Sequence, residues 1–379
     1  MVAPPAALPR ADASPPRSAV DTRYFVIALR AVAAVVIAWH HFALYPPLRD
    51  WAAPVMGNLL DWLADHGRAT QVFFVVGGYV MALSMSGRDW RLPVLGRYVV
   101  RRYCRLGLPY LAAMGLVGLA YLYGRDWLPE ELTGAPVTVP QVLAHLFFLQ
   151  AILGYEHLSA GFWFICVNFQ LALVYAAGLW LRDGPGRGRL NVPLLLGWPL
   201  AAFSLFHFNL NPDWDSWWLY FFPYFFMGIV IHHAVHRARS PWSFWLYALL
   251  LVAAMGFEWR WRLLSALLVG ALLWHGEWRG WGASWPRHKA VLGVGRISFS
   301  LFLVHFPVLV FVGALWARLE WDSPELAVLA LGLAFGLSLA LARLFYRWVE
   351  LPAAALGRRI GRRGPAGLRR RAPDPGVRQ

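Results

Sequence analysis

Ten stretches of this 379-residue chain stay apolar over close to the ~20 residues that an α-helix needs to cross a bilayer core. They run at about 24–45, 69–86, 106–123, 161–181, 192–209, 217–235, 241–257, 261–276, 291–318 and 325–349. Backbone polar groups in hydrocarbon must be satisfied within each segment, so runs of this length predict helices. With 59% hydrophobic and 15% charged residues, the chain is too apolar to cover itself as a soluble globule. Its 22 tryptophans gather near the ends of the runs, as in "DWLADHG", "NPDWDSWW" and "FEWRWR", the pattern of an interfacial aromatic belt. The expected fold class is an all-α polytopic integral membrane protein with about ten transmembrane helices.

The net charge of +15 would suit nucleic acid in a soluble domain, but here the arginines lie between the apolar runs and at the two chain ends. In that position they set topology, and no nucleic-acid partner is expected. The connection after the second run carries Arg88, Arg91, Arg97, Arg101, Arg102 and Arg105, and the one at 182–191 carries Arg182, Arg187 and Arg189. Both are therefore expected in the cytoplasm, which allows one return crossing between them. The longer candidate is 161–181, so 142–153 reads as a re-entrant or interfacial segment. "NPDWDSWW" and "LEWDSPE" then lie outside, and both termini lie in the cytoplasm. Only Arg260 and Arg262 fall on the unexpected side. The expected location is the inner (plasma) membrane, with lipid as a partner. Residues 1–22 read as a disordered tail, 23–352 as the membrane domain and 353–379 as a basic C-terminal tail.

Metal chemistry is not expected. Cys104 and Cys166 have no metal-type spacing and read as free thiols, and His232, His233 and His236 have no carboxylate or thiol near them in sequence. No GxGxxG or P-loop occurs. The chemistry is concentrated in the first run, "YFVIALRAVAAVVIAWHHFALYPP". Residues eleven apart on an α-helix are separated by ~16 Å along the axis and only ~20° around it, so Arg30 and His41 share a face that His40 does not. Arginine inside a membrane costs ~2.5–3.5 kcal/mol on insertion scales, which points to a polar interior or a functional pocket. A neutral imidazole can take a proton from a hydroxyl near physiological pH, so His41 is a candidate general base.

Several stretches resemble acyltransferase family 3, membrane proteins that O-acylate sugars and other hydroxyl-bearing molecules. "LRAVAAVVIAWHHF" resembles the family's opening Arg, ten residues and His, through Arg30 and His41. "QVFFVVGGYVMALS" is similar to its FFxxSGF signature through Phe73, Phe74, Gly78 and Tyr79, with Gly77 in place of the usual serine. "RYVVRRYCRLGLPY" resembles the RRxxR…P segment through Arg101, Arg102, Arg105 and Pro109. "GFWFICVNFQLALVY" is similar to the WfLxvExqFY stretch through Trp163 and Gln170, with Asn168 where glutamate is common. "GRISFSLFLVHFPV" resembles GxiSYxlYLxHxP through Gly295, Ser298, Leu303, His305 and Pro307, and "YRWVELP" resembles the closing ErP motif through Glu350 and Pro352.

The resemblance implies catalytic His41 and Arg30, and an acyl-CoA co-substrate, usually acetyl-CoA, held by Arg101, Arg102 and Arg105. It implies a glycan or another hydroxyl-bearing acceptor on the outer side. His305, Asn168, Trp163 and Ser298 are candidate pocket residues; for Ser298, bonding to the helix backbone is the better reading. Helical spacing brings Arg101 or Arg102 onto one side with Arg105. Glu350 is expected in an ion pair with Arg347 or Arg358. A transporter or flippase is the competing class, since intramembrane Arg and His also line substrate paths, but the halves of the chain show no matching symmetry.

Overall fold

The computed structural model describes residues 24–134, 136–184, 191–236 and 240–362, and no strand occurs among them. The expected tail at 1–22, the loop arginines Arg187 and Arg189, and the part of the expected 353–379 tail from 363 onward lie outside these residues, while 353–362 is helical.

Each of the ten apolar runs is helical over most of its length. The first two run-helices, α1 (Tyr24–Leu44) and α3 (Thr70–Met85), are joined by α2 (Leu48–His66). There follow α4 (Leu92–Gly124), the short α5 (Glu130–Thr133) and α6 (Val139–Leu146), then α7 (Phe162–Asp183), α8 (Val192–Phe206) and α9 (Trp218–His236). The chain continues through α10 (Trp242–Phe257), α11 (Trp261–Trp278), α12 (Lys289–Arg318), α13 (Pro324–Phe345) and α14 (Leu351–Arg362).

Length and apolarity together qualify seven of these segments as spans, or eight if α2 and α3, bent by 41°, form one. The expected ten is thus not reached on those two criteria. At 16 residues α10 rises only ~24 Å, short of a ~30 Å hydrocarbon core, and α11 carries Arg262 and Glu277.

Two segments outside the ten apolar runs shape the end of the bundle opposite the arginines. Helix α2 is too polar to register as an apolar run, but Leu48, Ala52 and Leu60 pack against Phe42, Leu309, Trp316 and Leu331, so it lies across the ends of α1, α12 and α13. Pro54, which removes a backbone donor, sits just before its kink at Met56. Helix α6 has eight residues, ~12 Å, and cannot cross. Its connection to α7 is clipped into the bundle by side chains: Gln170 donates to the Phe148 carbonyl (3.1 Å), Tyr103 to Leu146 (2.8 Å) and Tyr121 to Leu158 (3.0 Å). This agrees with a re-entrant or interfacial segment.

Arg260 and Arg262, the two that break the charge pattern, are held by the protein. Arg260 donates to the carbonyls of Leu205 (2.9 Å) and Ala254 (3.0 Å), in the last turns of α8 and α10, and to Asn209 Oδ1 (2.8 Å). It bonds carbonyls in the last turns of two helices, where a positive charge also meets the negative end of the dipole. Arg262 pairs with Asp215 at 2.8 Å and lies over the Tyr220 ring.

Helices α3 and α9 cross with their backbones in contact. A Cβ at Gly78 would collide with the Phe225 carbonyl, and one at Gly228 with the Val75 carbonyl and the Tyr79 amide. Small residues at such crossings let membrane helices approach closely. Gly295 plays the same part between α12 and α1, where a Cβ would strike the Ile27 carbonyl. Gly228→Ala should destabilise the bundle by about 1–3 kcal/mol through overpacking, seen as a lower unfolding temperature and a smaller monodisperse fraction in detergent, whereas Gly256→Ala, at a position open on all sides, should change neither.

Candidate active site

The crossing at Gly295 sets α1 beside α12 and brings together two histidines 264 residues apart. His41 Nδ1 and His305 Nε2 are 2.7 Å from each other, and the rings are parallel within 5° at a centroid distance of 5.0 Å. His305 Nδ1 lies 2.9 Å from the Leu301 carbonyl, one turn back on α12. A carbonyl can only accept, so His305 carries its proton on Nδ1 and presents a lone pair at Nε2. His41 must then donate from Nδ1, which leaves its own Nε2 as an unprotonated nitrogen. Among the described residues nothing bonds to that nitrogen. His41 and His305 are both buried, His305 completely.

His40 has a different part. Its Nδ1 donates to the Leu63 carbonyl (2.9 Å), and Gly67 is pressed against it so closely that a Cβ there would lie 2.8 Å from His40 Cβ. It fastens the end of α2 onto α1.

Arg30 lies on the same side of α1 as His41, toward the arginine-rich end. No hydrogen bond or ion pair reaches its guanidinium among the described residues, although Arg105 and Glu350 are near enough to act on its charge. Glu350 ends a five-residue π turn, Tyr346–Glu350, between α13 and α14; such turns are frequent at functional sites. Its carboxylate accepts the Ser300 hydroxyl at 2.6 Å. The expected ion pair with Arg347 or Arg358 is therefore replaced by a bond to α12, and the cations that act on Glu350 are Arg30 and Arg105. The π turn changes the helical register, which counting along an α-helix does not anticipate.

The three motif arginines of α4 divide. Arg101 and Arg105, one turn apart, are exposed. Arg102 turns inward to α7 and donates to Asn168 Oδ1, and its Nε is buried without a partner. So Arg101, and not Arg102, shares a side with Arg105.

The remaining candidates are placed as follows. Trp163 is half-buried among Phe221 (4.9 Å between ring centroids) and Phe74 (6.3 Å). Ser298 is buried and bonds the Gly295 carbonyl at 2.9 Å, the backbone role expected of it. An aromatic wall adjoins the histidines: Phe302 is 6.1 Å from the His305 ring, and Phe73, already matched to a motif, and Phe164 lie 6.1 and 5.2 Å from Phe302.

His232 and His236 correct the view that no carboxylate is near them. Tyr79 donates to Glu277 Oε2 (2.6 Å) and accepts from His236 Nε2 (2.9 Å), so α11 supplies an acid to this cluster. No group of three or more His, Cys, Asp or Glu side chains converges as a metal site among the described residues.

A family model described as an acyltransferase domain matches residues 23–343, most of the chain and nearly all of the described bundle. No curated protein and no solved structure matches it. With apolar helices long enough to cross a bilayer and a family match that takes in Arg30, His41, Asn168 and His305 together, the chain belongs to acyltransferase family 3 and is a membrane acyltransferase.

Proposed function

We propose that this protein moves an acyl group, in the first instance acetyl, from cytoplasmic acyl-CoA to a hydroxyl of an extracytoplasmic or membrane-associated sugar. The observation that carries the reading is the series from the Leu301 carbonyl through His305 to His41, which for neutral rings assigns the free lone pair to His41 Nε2. A base prepared in this way removes the proton of an acceptor hydroxyl as its oxygen attacks the thioester carbonyl carbon. The new C–O bond forms, the C–S bond breaks, and the proton passes from His41 to the departing thiolate to give the free thiol. His305 is a positioning residue, since it acts through His41.

In this reading the arginine-rich end faces the cytoplasm. Arg101 and Arg105 meet the donor phosphates, for which guanidinium forks are suited, and Arg30, to which no described residue hydrogen-bonds, binds the donor further in or steadies the negative charge that develops on the carbonyl oxygen. The acceptor approaches from the end covered by α2.

Purified protein incubated with labelled acetyl-CoA should yield acyl transfer or slow thioester hydrolysis, and His41→Ala should lower it by about 10²–10⁴-fold, the usual worth of a general base. Full activity in that variant, measured by product mass, would refute the role of His41. His305→Ala should lower kcat while leaving the donor KM in place, and His305→Asn, which restores an acceptor for the His41 proton, should recover part of the loss. A purely structural His305 would show no such difference between the two variants. A reporter inserted at 185–190 should read as cytoplasmic; an external signal would reverse the assignment of donor and acceptor sides.

A further inference from the structure

Asn168 and Gly77 face each other between α7 and α3, and their geometry leaves one hydrogen-bond donor without a partner. Arg102 donates to Asn168 Oδ1, which settles the orientation of that amide: the oxygen turns to α4 and the NH₂ turns to α3. A Cβ at Gly77 would lie 3.6 Å from Asn168 Nδ2 and meet nothing else within 4 Å, so open space stands beside the amide where a side chain would have been. No acceptor takes Asn168 Nδ2 among the described residues. The guanidinium on the far side polarises the amide and makes it a stronger donor, since bonds in a chain reinforce one another.

The position of this notch matters. Phe73 stands four residues from Gly77 on α3, and Phe164 four residues from Asn168 on α7, one helical turn or ~6 Å in each case. Both rings rest near Phe302, which adjoins His305. The notch is thus one turn closer to the arginine-rich end than the aromatic wall beside the histidine pair.

We propose that Gly77 and Asn168 form a binding notch for an amide carbonyl in the arm of the thioester donor, with Asn168 Nδ2 donating to that oxygen. This rests on the proposed function. A thioester reaching from the basic end toward His41 passes this level, and a coenzyme A arm carries amide carbonyls a few bonds from its sulfur. Glycine is required because a larger residue fills the space. Serine there would place its own oxygen within reach of Asn168 and occupy the donor internally.

The test compares two acetyl donors of equal arm length in the purified, full-length protein: the thioacetate of N-acetylcysteamine, which has one amide, and S-pentyl thioacetate, which has none. The wild-type chain should prefer the amide-bearing donor in kcat/KM by about tenfold, the worth of one hydrogen bond near 1.4 kcal/mol. Gly77→Ser and Asn168→Leu should each bring the ratio close to one. Gly77→Ser carries the test if Asn168→Leu does not fold, because the space at Gly77 admits the side chain. An unchanged ratio in Gly77→Ser, an equal loss on both donors, or a wild-type ratio of one overturns the notch while leaving the acyltransfer reading intact. Failure of the wild type to turn over acetyl-CoA or either thioacetate overturns the proposed function, and the notch with it.

Discussion

The contact between His41 and His305 exists because two backbones can touch. A residue larger than glycine at 295 would push α12 off the Ile27 carbonyl, and the imidazoles, held at 2.7 Å, would lose their bond. The pair is also the point where several constraints of the membrane meet. An imidazole in hydrocarbon needs a partner; each ring supplies one to the other, and the Leu301 carbonyl ends the series. Of the four ring nitrogens, three are occupied, and the one left over is the nitrogen that can do chemistry.

The same economy governs the rest of the polar groups. Gln170, Tyr103 and Tyr121 hold the end of α6 and the irregular backbone after it through their carbonyls, so that these polar groups of non-helical chain find partners inside the protein. Glu350 is fastened by Ser300 while Arg30 and Arg105 balance its charge from nearby. Arg49 and Arg262 are each paired with a carboxylate, whereas Arg102, one of the arginines that the family resemblance brings to the donor side, bonds an amide oxygen instead.

Much of the architecture was legible in the chain because hydrocarbon imposes a length and a composition that single residues cannot disguise. The helices α1, α4, α7, α12 and α13 could be read from their apolar runs alone. Helix α2 could not, since only Leu48, Ala52 and Leu60 of it are fully buried and the rest is mixed in polarity. The face shared by Arg30 and His41 followed from helical geometry. The partner of His41 did not: a separation of 264 residues leaves no periodicity to detect. Likewise Tyr79, Glu277 and His236 come from three helices, and Gly77 and Asn168, two departures from the family pattern that looked unrelated, turn out to be neighbours.

Arg260 offers a last consequence. Topology is commonly inferred by tallying basic residues on each side of the bilayer, as though every one were a vote. This guanidinium is already engaged by carbonyls in the last turns of two helices, so it has a structural task whatever its charge does at the lipid headgroups. A lysine could not substitute, since one compact ammonium lacks the planar fork that spans both termini. Arg260 works as a rivet between α8 and α10, so its place in the chain answers an assembly need that a tally of charges does not see.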